Sequence, residues 1–427
     1  MKSHHTARAL RHRNFRLFFL GQGVSLVGTW VTRIATSWLV WRLTHSEWDL
    51  GLVSFAGLAP TLLFGPLGGV FADRFSRHRL LLLTQWLSML QSGALALLAF
   101  RGEATLTHLL WLQTFQGFIG ALDTPVRQAF VAEIVTDRAD LPNAIALNSA
   151  MFNASRLVGP ALGGALLAAA GEAWCFAVDT VSYGAVLLSL MLMRVPHVVG
   201  RAPQRGDVTR DLREGFRYAR EQHAVRTLLL LVAGVSLLGT PYSVLLPSLA
   251  TEALHGGANA LGWLMTAAGA GALVSTTWLA GRASLRGVSK VMLSAATTFA
   301  VALMLLALMC APLGSLWGAL AMLPLIGGGL VLVSSSANSL LQTVVPAGLR
   351  GRVMALYTTA FLGMAPLGSV IAGAAAARVG APWVVAASGA LTLLVVAWYA
   401  RALPSMRSEL QRLAAARSEE AAAAAAG

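Results

Sequence analysis

The sequence contains Gly69-Val-Phe-Ala-Asp-Arg-Phe-Ser-Arg-His-Arg79, a short charged stretch between two long apolar segments. These segments cover residues 49–71 and 79–100. Each is long enough for an α-helix to cross a hydrocarbon core, which takes about 20 apolar residues. Arginines in a short loop between two such segments are typical of the cytoplasmic side of a membrane protein. The stretch therefore predicts two membrane helices joined by a cytoplasmic loop.

The same pattern recurs along the whole chain of 427 residues, which is 56% hydrophobic and 12% charged. A soluble domain has about 25% charged residues, so the composition indicates a chain surrounded mostly by lipid. The first apolar run is longer than the apolar core of a signal peptide, and we expect it to remain as a membrane helix. In total we predict twelve transmembrane helices, near residues 15–41, 49–71, 79–100, 106–131, 142–169, 173–193, 225–250, 258–280, 289–311, 316–344, 351–377 and 382–402.

The basic residues set the expected orientation. If the N-terminus is cytoplasmic, 25 of the 32 lysines and arginines fall in cytoplasmic loops and tails, and three fall outside. Because positive charge concentrates on the cytoplasmic side, we expect a multi-pass protein of the inner (plasma) membrane with both termini in the cytoplasm. The net charge of +14 is spread over these loops, not gathered in one motif. This distribution argues against a nucleic-acid partner.

The two halves of the chain resemble each other. A displacement of 209 residues aligns Gly159 with Gly368 and Gly164 with Gly373, which places helix 5 on helix 11 in the same orientation. We therefore predict an all-α membrane protein of two six-helix parallel repeats, with a substrate path at the interface between them. The predicted parts are a cytoplasmic N-tail (1–14), a first bundle (15–193), a cytoplasmic linker with an amphipathic helix (194–224), a second bundle (225–403) and a partly disordered cytoplasmic tail (404–427). The linker helix either lies on the membrane face or is a solvated connection.

The stretch at 69–79 resembles the loop motif of the major facilitator superfamily, G-x-x-x-D-R-x-G-R-[RK], with Ser76 in place of the second glycine. The resemblance implies the fold of that superfamily and a conformational latch between helices 2 and 11 that breaks during transport. A plain basic loop on the cytoplasmic side is the alternative. The predicted latch residues are Gly69, Asp73, Arg74, Arg77, Arg79 and Arg352.

Helix 5 contains a segment that resembles the antiporter motif of the superfamily's exporters, whose core is G-P-x-x-G-G. Its residues are Gly159, Pro160, Gly163 and Gly164. Proline kinks a helix, and in the family these glycines let helix 5 seal the cavity on one side. A kinked packing helix is the alternative. The match to this core favours export over uptake. The stretches 28–40, 122–129 and 141–149 look like the branch that contains the enterobactin exporter and relatives of macrolide efflux proteins.

Few ionisable side chains lie inside the predicted spans, and such residues mark function by default. We predict Asp123, and Asp179 second, as proton-coupling residues, with Arg156 and Arg33 as charge partners. Asp123 and Arg156 lie ~16 and ~20 Å from the cytoplasmic ends of consecutive helices, which predicts an Asp123–Arg156 pair. Arg33 and Asp179 form a second pair or face the cavity. The alternative for both aspartates is a static ion pair that only fixes helix packing.

A substrate cavity is expected to be apolar with a few polar groups. The family's helix 4 arginine is replaced by Gln113, so proton transfer through that arginine is not expected. The candidate cavity residues are Trp30, Trp38, Gln113, Gln116, Asn148, Phe152, Tyr183, Tyr242 and Asn338.

The sequence thus predicts a monomeric secondary active transporter in the bilayer, which exports an amphiphilic drug or siderophore in exchange for protons by alternating access. Lipid or lysophospholipid translocation by the same fold, and a non-transporting receptor or scaffold, are the alternatives. We expect no enzyme activity and no cofactor, because no catalytic cluster lies among the spans. The nine histidines lack ligand spacing, so no metal site is expected. Cys175 and Cys310 are expected to be packing residues.

Overall fold

The computed structural model describes residues 8–194, 208–282 and 287–426, and the side chains at 66–67, 69–70, 72–73, 138, 208–212, 347 and 410–426 lie outside the described part. Every regular element in the described residues is a helix. The first six long helices are α1 (Arg13–Thr44), α2 (Glu47–Arg74), α3 (Arg77–Arg101), α4 (Leu106–Ile134), α5 (Leu141–Ala170) and α6 (Glu172–Met191). They are followed by α7 (Val208–Glu221), α8 (His223–Gly234), α9 (Tyr242–Ser248), α10 (Ala258–Ala280), α11 (Val288–Cys310), α12 (Leu316–Val344), α13 (Ala347–Thr358), α14 (Met364–Val379) and α15 (Ala381–Ala426).

Nine helices within these described ranges are long and apolar enough to cross a membrane. One of the nine combines α8 with α9, and another combines α13 with α14. Three further helices, α4, α5 and α10, have 29, 30 and 23 residues and reach the required length at about 1.5 Å per residue. The predicted all-α membrane fold is confirmed, and the helices are consistent with twelve spans.

The helices group into two units by their mutual contacts. The first unit falls within Met1–Gln204 and Val244–Gly269, and the second within Arg205–Ser243 and Ala270–Gly427. This grouping places most of α9 and the first half of α10 with the first unit. The bundle bounds predicted from the sequence stay a prediction.

In the first unit, α3 lies against both α4 and α6, and α1 lies against both α5 and α6. The face of α3 that turns inward is polar although the helix is otherwise rich in leucine. Its buried polar residues are Thr84, Gln85, Ser88, Gln91 and Ser92. Their spacing of three, four and seven positions puts them on one side of the helix. The packing of α3 therefore presents a polar stripe to the acidic residues of α4 and α6.

In the second unit, two π-helical segments lie side by side at Val235–Gly239 and Thr359–Gly363. The Ser236 hydroxyl donates a hydrogen bond to the Phe361 carbonyl across them. Gly368 packs so closely that a Cβ there would lie 2.1 Å from the Leu237 carbonyl oxygen. A π-helical turn widens the helix locally and often accompanies a functional site.

Helix α7 follows residues 195–207, the part of the predicted linker that lies outside the described residues. One face of α7 contacts α13, where Glu214 forms an ion pair with Arg352 and Gly215 lies against the Arg352 side chain. The opposite face exposes Arg213, Phe216, Arg217 and Arg220. Three arginines and a phenylalanine at positions i, i+3, i+4 and i+7 form an amphipathic surface suited to a lipid headgroup layer. Its position on the membrane stays a prediction.

Helix α15 continues through Pro404 to Ala426, and the partial disorder predicted for the tail stays a prediction. The end of the chain is a run of alanines, and alanine has the highest helix propensity of all residues. The beginning of the tail contacts α8 in the second unit, where the Glu409 carboxylate accepts a hydrogen bond from the Ala224 backbone amide at 2.9 Å.

Candidate functional site

Asp179 lies on α6 in the interior of the first unit, where its residue is 2% exposed. Its partners are hydroxyl groups from three helices. Thr32 Oγ1 of α1 lies 2.8 Å from the carboxyl Oδ2, and Ser92 Oγ of α3 lies 3.0 Å from the same oxygen. Ser182 Oγ, one turn along α6, lies 3.3 Å from Oδ1. The sequence predicted Asp179 as a candidate, but it gave no sign of this hydroxyl cage.

The hydroxyl cage fits both protonation states of Asp179. Ser92 Oγ also lies 3.1 Å from the Phe176 carbonyl oxygen, and a hydroxyl has one proton to donate. When Asp179 is ionised, Ser92 donates to the carboxylate. When Asp179 is protonated, the carboxyl donates to Ser92, which turns its own proton to the Phe176 carbonyl. A group that binds and releases a proton needs such a site, because neither state leaves a buried polar atom without a partner.

Gly28 of α1 makes room for this cage. A Cβ at position 28 would lie 2.3 Å from Ser182 Oγ and 2.7 Å from Asp179 Oδ1. Gly28→Ala is therefore expected to lower the free energy of unfolding by about 1–3 kcal/mol, the usual effect of overpacking. The measurement is the thermal unfolding of the purified protein in detergent. Gly23→Ala on the same helix is the control, because its Cβ would be 3.5 Å from Met151, an ordinary contact; equal losses for both variants would contradict the assignment.

Asp123 of α4 is bound differently. Its Oδ1 accepts hydrogen bonds from Thr84 Oγ1 and Gln85 Nε2 of α3, both at 2.8 Å. Its Oδ2 lies 3.4 Å from Arg127 Nε, one turn along the same helix. The predicted pairing of Asp123 with Arg156 is therefore wrong: the cationic partner is Arg127. Residues four apart on a helix are neighbours, and α4 packs mainly on α2 and α3, away from α5.

The polar stripe of α3 connects the surroundings of the two aspartates, and it was not predicted from the sequence. Ser92 contacts Asp179 at one end, and Thr84 and Gln85 contact Asp123 at the other. Between them, Ser88 accepts a hydrogen bond from Gln116 Nε2 of α4 at 3.3 Å. The sequence does contain a signal for this stripe, because polar residues at helical spacing inside a leucine-rich span are costly in lipid unless they face a polar partner.

Tyr183 was predicted to line the substrate cavity, but the structure places it inside the first unit with 6% of the residue exposed. Its hydroxyl faces the side chains of Thr29 of α1 and Ser88 of α3. It lies one turn after Asp179 on α6 and within electrostatic reach of both Asp179 and Asp123. Tyr183 therefore belongs to the same buried polar group as the two aspartates.

Trp30, Arg33 and Phe152 form an aromatic and cationic cluster on α1 and α5. The Trp30 and Phe152 rings are edge-to-face with centroids 6.5 Å apart, and the Arg33 guanidinium carbon lies 5.1 Å from the Trp30 ring centroid. Arg33 and Phe152 are exposed within their unit. An arginine beside two aromatic rings suits a ligand that carries an aromatic group and negative charge.

The glycines of the antiporter-like segment on α5 bring two helices close. A Cβ at Gly159 would lie 2.4 Å from the Trp30 Cβ, and one at Gly163 would lie 3.1 Å from the Val31 Cα, both on α1. Gly164 faces α10 instead, where a Cβ would lie 2.5 Å from the Gly262 Cα. Pro160, between them, is buried inside the helix. The segment is thus the point at which α5 touches α1 on one side and α10 on the other.

Only part of the predicted latch can be located. Gly69 and the side chain of Asp73 lie outside the part that the structure describes. Arg77 Nη1 lies 3.4 Å from Glu133 of α4, and Arg352 pairs with Glu214 of α7. Arg74 and Arg79 are exposed. The conformational latch stays a prediction.

The other predicted cavity residues are spread over both units. Gln113 Nε2 donates to Thr36 Oγ1 at 3.5 Å, and Gln342 donates to Asn338 Oδ1. Tyr242 is buried in the second unit. Trp38 and Asn148 are half-buried in the first. The second unit has two apolar depressions, one on α8 and α15 and one on α10–α12. None of the predicted cavity residues lines either depression.

Three comparisons with known proteins bear on the chain. A family model described as transmembrane secretion effector matches residues 5–425. The enterobactin exporter of Escherichia coli is 29% identical, with 81% of each chain covered. A multidrug efflux pump of Mycolicibacterium fortuitum is 27% identical, with 81% of this chain and 85% of the pump covered. The staphyloferrin A transporter of Staphylococcus aureus is 28% identical over 61% of this chain, and the match covers 65% of that transporter, just under two thirds.

Solved transporter structures share the fold. A POT family transporter in complex with 5-aminolevulinic acid has a TM-score of 0.72 at 12% identity, covering 92% of this chain and 96% of that chain. A bacterial homologue of the iron transporter ferroportin has a TM-score of 0.68 at 17% identity, covering 91% and 98%. At such low identity these likenesses concern the fold alone, and they agree with the family model, which spans nearly the whole chain. The chain belongs to the transmembrane secretion effector family of the major facilitator superfamily, the superfamily that its loop and helix 5 motifs indicated.

Proposed function

We propose that this transporter exports an amphiphilic small molecule, a siderophore or a drug, in exchange for protons. The names of the similar proteins support this substrate class, since they include siderophore and multidrug exporters. The observation that carries the proton coupling is the Asp179 site, a buried carboxyl held by three hydroxyls that fit both of its protonation states.

The two acidic candidates differ in their suitability for carrying a proton. Asp123 forms an ion pair with Arg127, whose Nε lies 3.4 Å from the carboxyl Oδ2. Asp179 is surrounded by hydroxyls, which serve the carboxylate and the carboxylic acid equally well. We therefore assign proton binding during transport to Asp179 first and to Asp123 second, the reverse of the order given by the sequence.

Alternating access requires that one side of the membrane be closed while the other is open. The close approach of α5 and α10 at Gly164 and Gly262 supplies a closed contact in the first unit. Glycine at both positions lets the two backbones meet without a side chain between them, and such contacts can part and reform. In the proposed cycle, proton binding at Asp179 favours one arrangement of the helices and release favours the other.

The membrane location and orientation of the transporter are proposed from the distribution of its basic residues. The distribution of arginine and lysine favours an inner membrane location with both termini cytoplasmic. In this orientation Asp179 lies about 10 Å from the periplasmic end of α6, at 1.5 Å per residue. Protons would thus enter near Asp179 and leave toward Asp123. The transporter is proposed to act as a monomer in the lipid bilayer.

The cluster of Trp30, Arg33 and Phe152 is the proposed contact surface for the substrate. Trp30→Ala and Phe152→Ala are each expected to raise the KM for an aromatic substrate by about threefold to tenfold, given the ~0.5–1.5 kcal/mol that an aromatic contact contributes. Initial export rates over a range of concentrations provide the measurement. Trp278→Ala is a matched control, since the Arg282 guanidinium carbon lies 5.0 Å from the Trp278 ring centroid in an equivalent pair. An equal rise in KM for the control would contradict the proposed surface.

The proposed function is tested with cells that express the chain and are loaded with a panel of enterobactin, ethidium, tetracycline and a macrolide. The proposal predicts lower accumulation of at least one compound, and loss of the difference when an uncoupler collapses the proton gradient. Export that persists unchanged in the presence of the uncoupler would contradict proton coupling. No difference in accumulation for any compound of the panel would contradict export of this substrate class.

A further inference from the structure

The buried polar groups of the first unit form successive layers along α1, α3 and α6. The first layer contains Thr32, Asp179 and Ser92. The second contains Thr29, Tyr183 and Ser88. From one layer to the next the residue number changes by three or four on every helix, which is one helical turn. The polar contacts therefore repeat in register on three helices.

A third layer continues the series onto α4. Thr84 lies one turn before Ser88 on α3, and its hydroxyl is 2.8 Å from Asp123 Oδ1. Thr84, Ser88 and Ser92 thus stand above one another on α3 at intervals of four residues, over ~12 Å in total. All three are buried, with 0%, 3% and 0% of the residue exposed. The stripe reaches from one carboxyl group to the other.

Two unpaired acceptors lie beside the middle of this stripe. Among the described residues, Gln85 Oε1 and Gln116 Oε1 are buried and accept no hydrogen bond. The amide nitrogens of the same side chains are bound to Asp123 and Ser88, so the free oxygens flank the interval between the second and third layers. A buried acceptor without a partner is costly, and a water molecule is its usual donor in a polar interior.

We propose that Ser92, Ser88 and Thr84 of α3, together with Tyr183 of α6, form a proton path that connects Asp179 with Asp123, with water in the one-turn intervals between the layers. This inference rests on the proposed proton coupling and names the route by which the proton crosses the first unit. Hydroxyl groups and water suit the role, because each accepts one proton while it donates another.

The transfer is balanced at each oxygen. The carboxyl group of Asp179 gives its proton to the first hydroxyl or water of the path. Each following oxygen accepts one proton and passes one on, so it ends in its starting state. The carboxylate of Asp123 receives the last proton, and release from Asp123 completes the passage. Only O–H bonds form and break, and the net change is one proton moved from Asp179 to Asp123.

Among the described residues, the groups in contact with the path lie on α1, α4 and α6. On α6 the titratable groups that face it are Asp179 and Tyr183, and on α4 they are Asp123 and Arg127. The contacts from α1 are the hydroxyls of Thr29 and Thr32. The stripe of α3 itself has no ionisable side chain. At the Asp123 end of the path, Arg127 Nε lies 3.4 Å from the carboxyl Oδ2.

The test uses proteoliposomes with Ser88→Ala and Tyr183→Phe variants of the full chain. Two rates are measured for the panel compound that the unaltered protein exports fastest: transport driven by an imposed pH gradient, and exchange of labelled for unlabelled compound at equal pH, which needs no net proton movement. We expect the variants to lower the pH-driven rate about tenfold or more, as removal of a proton-transfer group does, and to leave the exchange rate within about twofold. Ser37→Ala is the control, because its hydroxyl donates only to the Ile34 carbonyl of its own helix.

The outcomes of this test distinguish a failure of the proton path from a failure of the proposed function. Unchanged pH-driven rates in both variants would overturn the path while the function stands. An equal fall of both rates would also overturn it, since the residues would then act on the whole cycle. If the unaltered protein shows no pH-driven transport of any panel compound, the proposed coupling itself fails. A selective loss in the two variants, with normal rates for Ser37→Ala, supports the path.

Discussion

Asp179→Asn is expected to abolish pH-driven export and to leave substrate exchange at equal pH intact. Asparagine has nearly the shape of aspartate, and its amide can still hydrogen-bond to Thr32 and Ser92, so the variant should fold. It has no proton to bind or release at accessible pH, however. The pH-driven rate in proteoliposomes should fall to that of liposomes without protein, whereas exchange of labelled for unlabelled substrate should continue.

Asp123→Asn provides the comparison for this prediction. Asp123 already has a cationic neighbour in Arg127 and lies at the far end of the proposed path. The variant should therefore slow pH-driven export without removing it, since water can still take the proton from Thr84. A full loss in Asp123→Asn together with a normal rate in Asp179→Asn would show that the order assigned to the two aspartates is wrong.

Gly164→Ala is expected to block transport by a different route. The new Cβ would lie 2.5 Å from the Gly262 Cα, a backbone atom that cannot turn away. The closed contact of α5 with α10 would lose about 1–3 kcal/mol, which shifts a conformational equilibrium by roughly 5- to 150-fold. Both pH-driven export and equal-pH exchange should fall, because each requires the contact to form in every cycle. Export rates of the purified, reconstituted variant provide the measurement.

Gly184→Ala is the matched control for Gly164→Ala. A Cβ at Gly184 of α6 meets no atom within 4 Å, so the same substitution adds a methyl group without a clash. Gly262→Ala should reproduce the loss from the opposite helix, since its Cβ would lie 2.6 Å from the Gly164 Cα. Normal transport by both Gly164→Ala and Gly262→Ala would contradict a role of this contact in the cycle.

The helical architecture followed from the sequence because lipid leaves a chain few alternatives. Without water, each backbone group must find its partner within its own helix, so apolar runs of about 20 residues are strong predictors of helices. The interruptions were harder to foresee. The π-helical segments at Val235–Gly239 and Thr359–Gly363 depend on contacts between helices, such as Ser236 with the Phe361 carbonyl, that no local pattern contains.

The candidate site was predictable in its composition but not in its pairing. Asp179 and Asp123 stood out because carboxyl groups are rare in membrane spans. Sequence position gives the depth of a residue along its helix, but not the direction in which its side chain points relative to other helices. For this reason Asp123 was paired with Arg156 at similar depth, although Arg127 is its partner. The stripe of α3 was visible as a repeat of serine and threonine, yet its meaning depends on which helices face it.

The most direct test of the account is to record the pH inside proteoliposomes that contain the unaltered protein while a gradient of the exported panel compound is imposed and no pH gradient is present. The account predicts that the compound moving down its gradient drives protons in the opposite direction, and that the Asp179→Asn variant moves the compound without any pH change. Passage of the compound through the unaltered protein with the internal pH constant would contradict it.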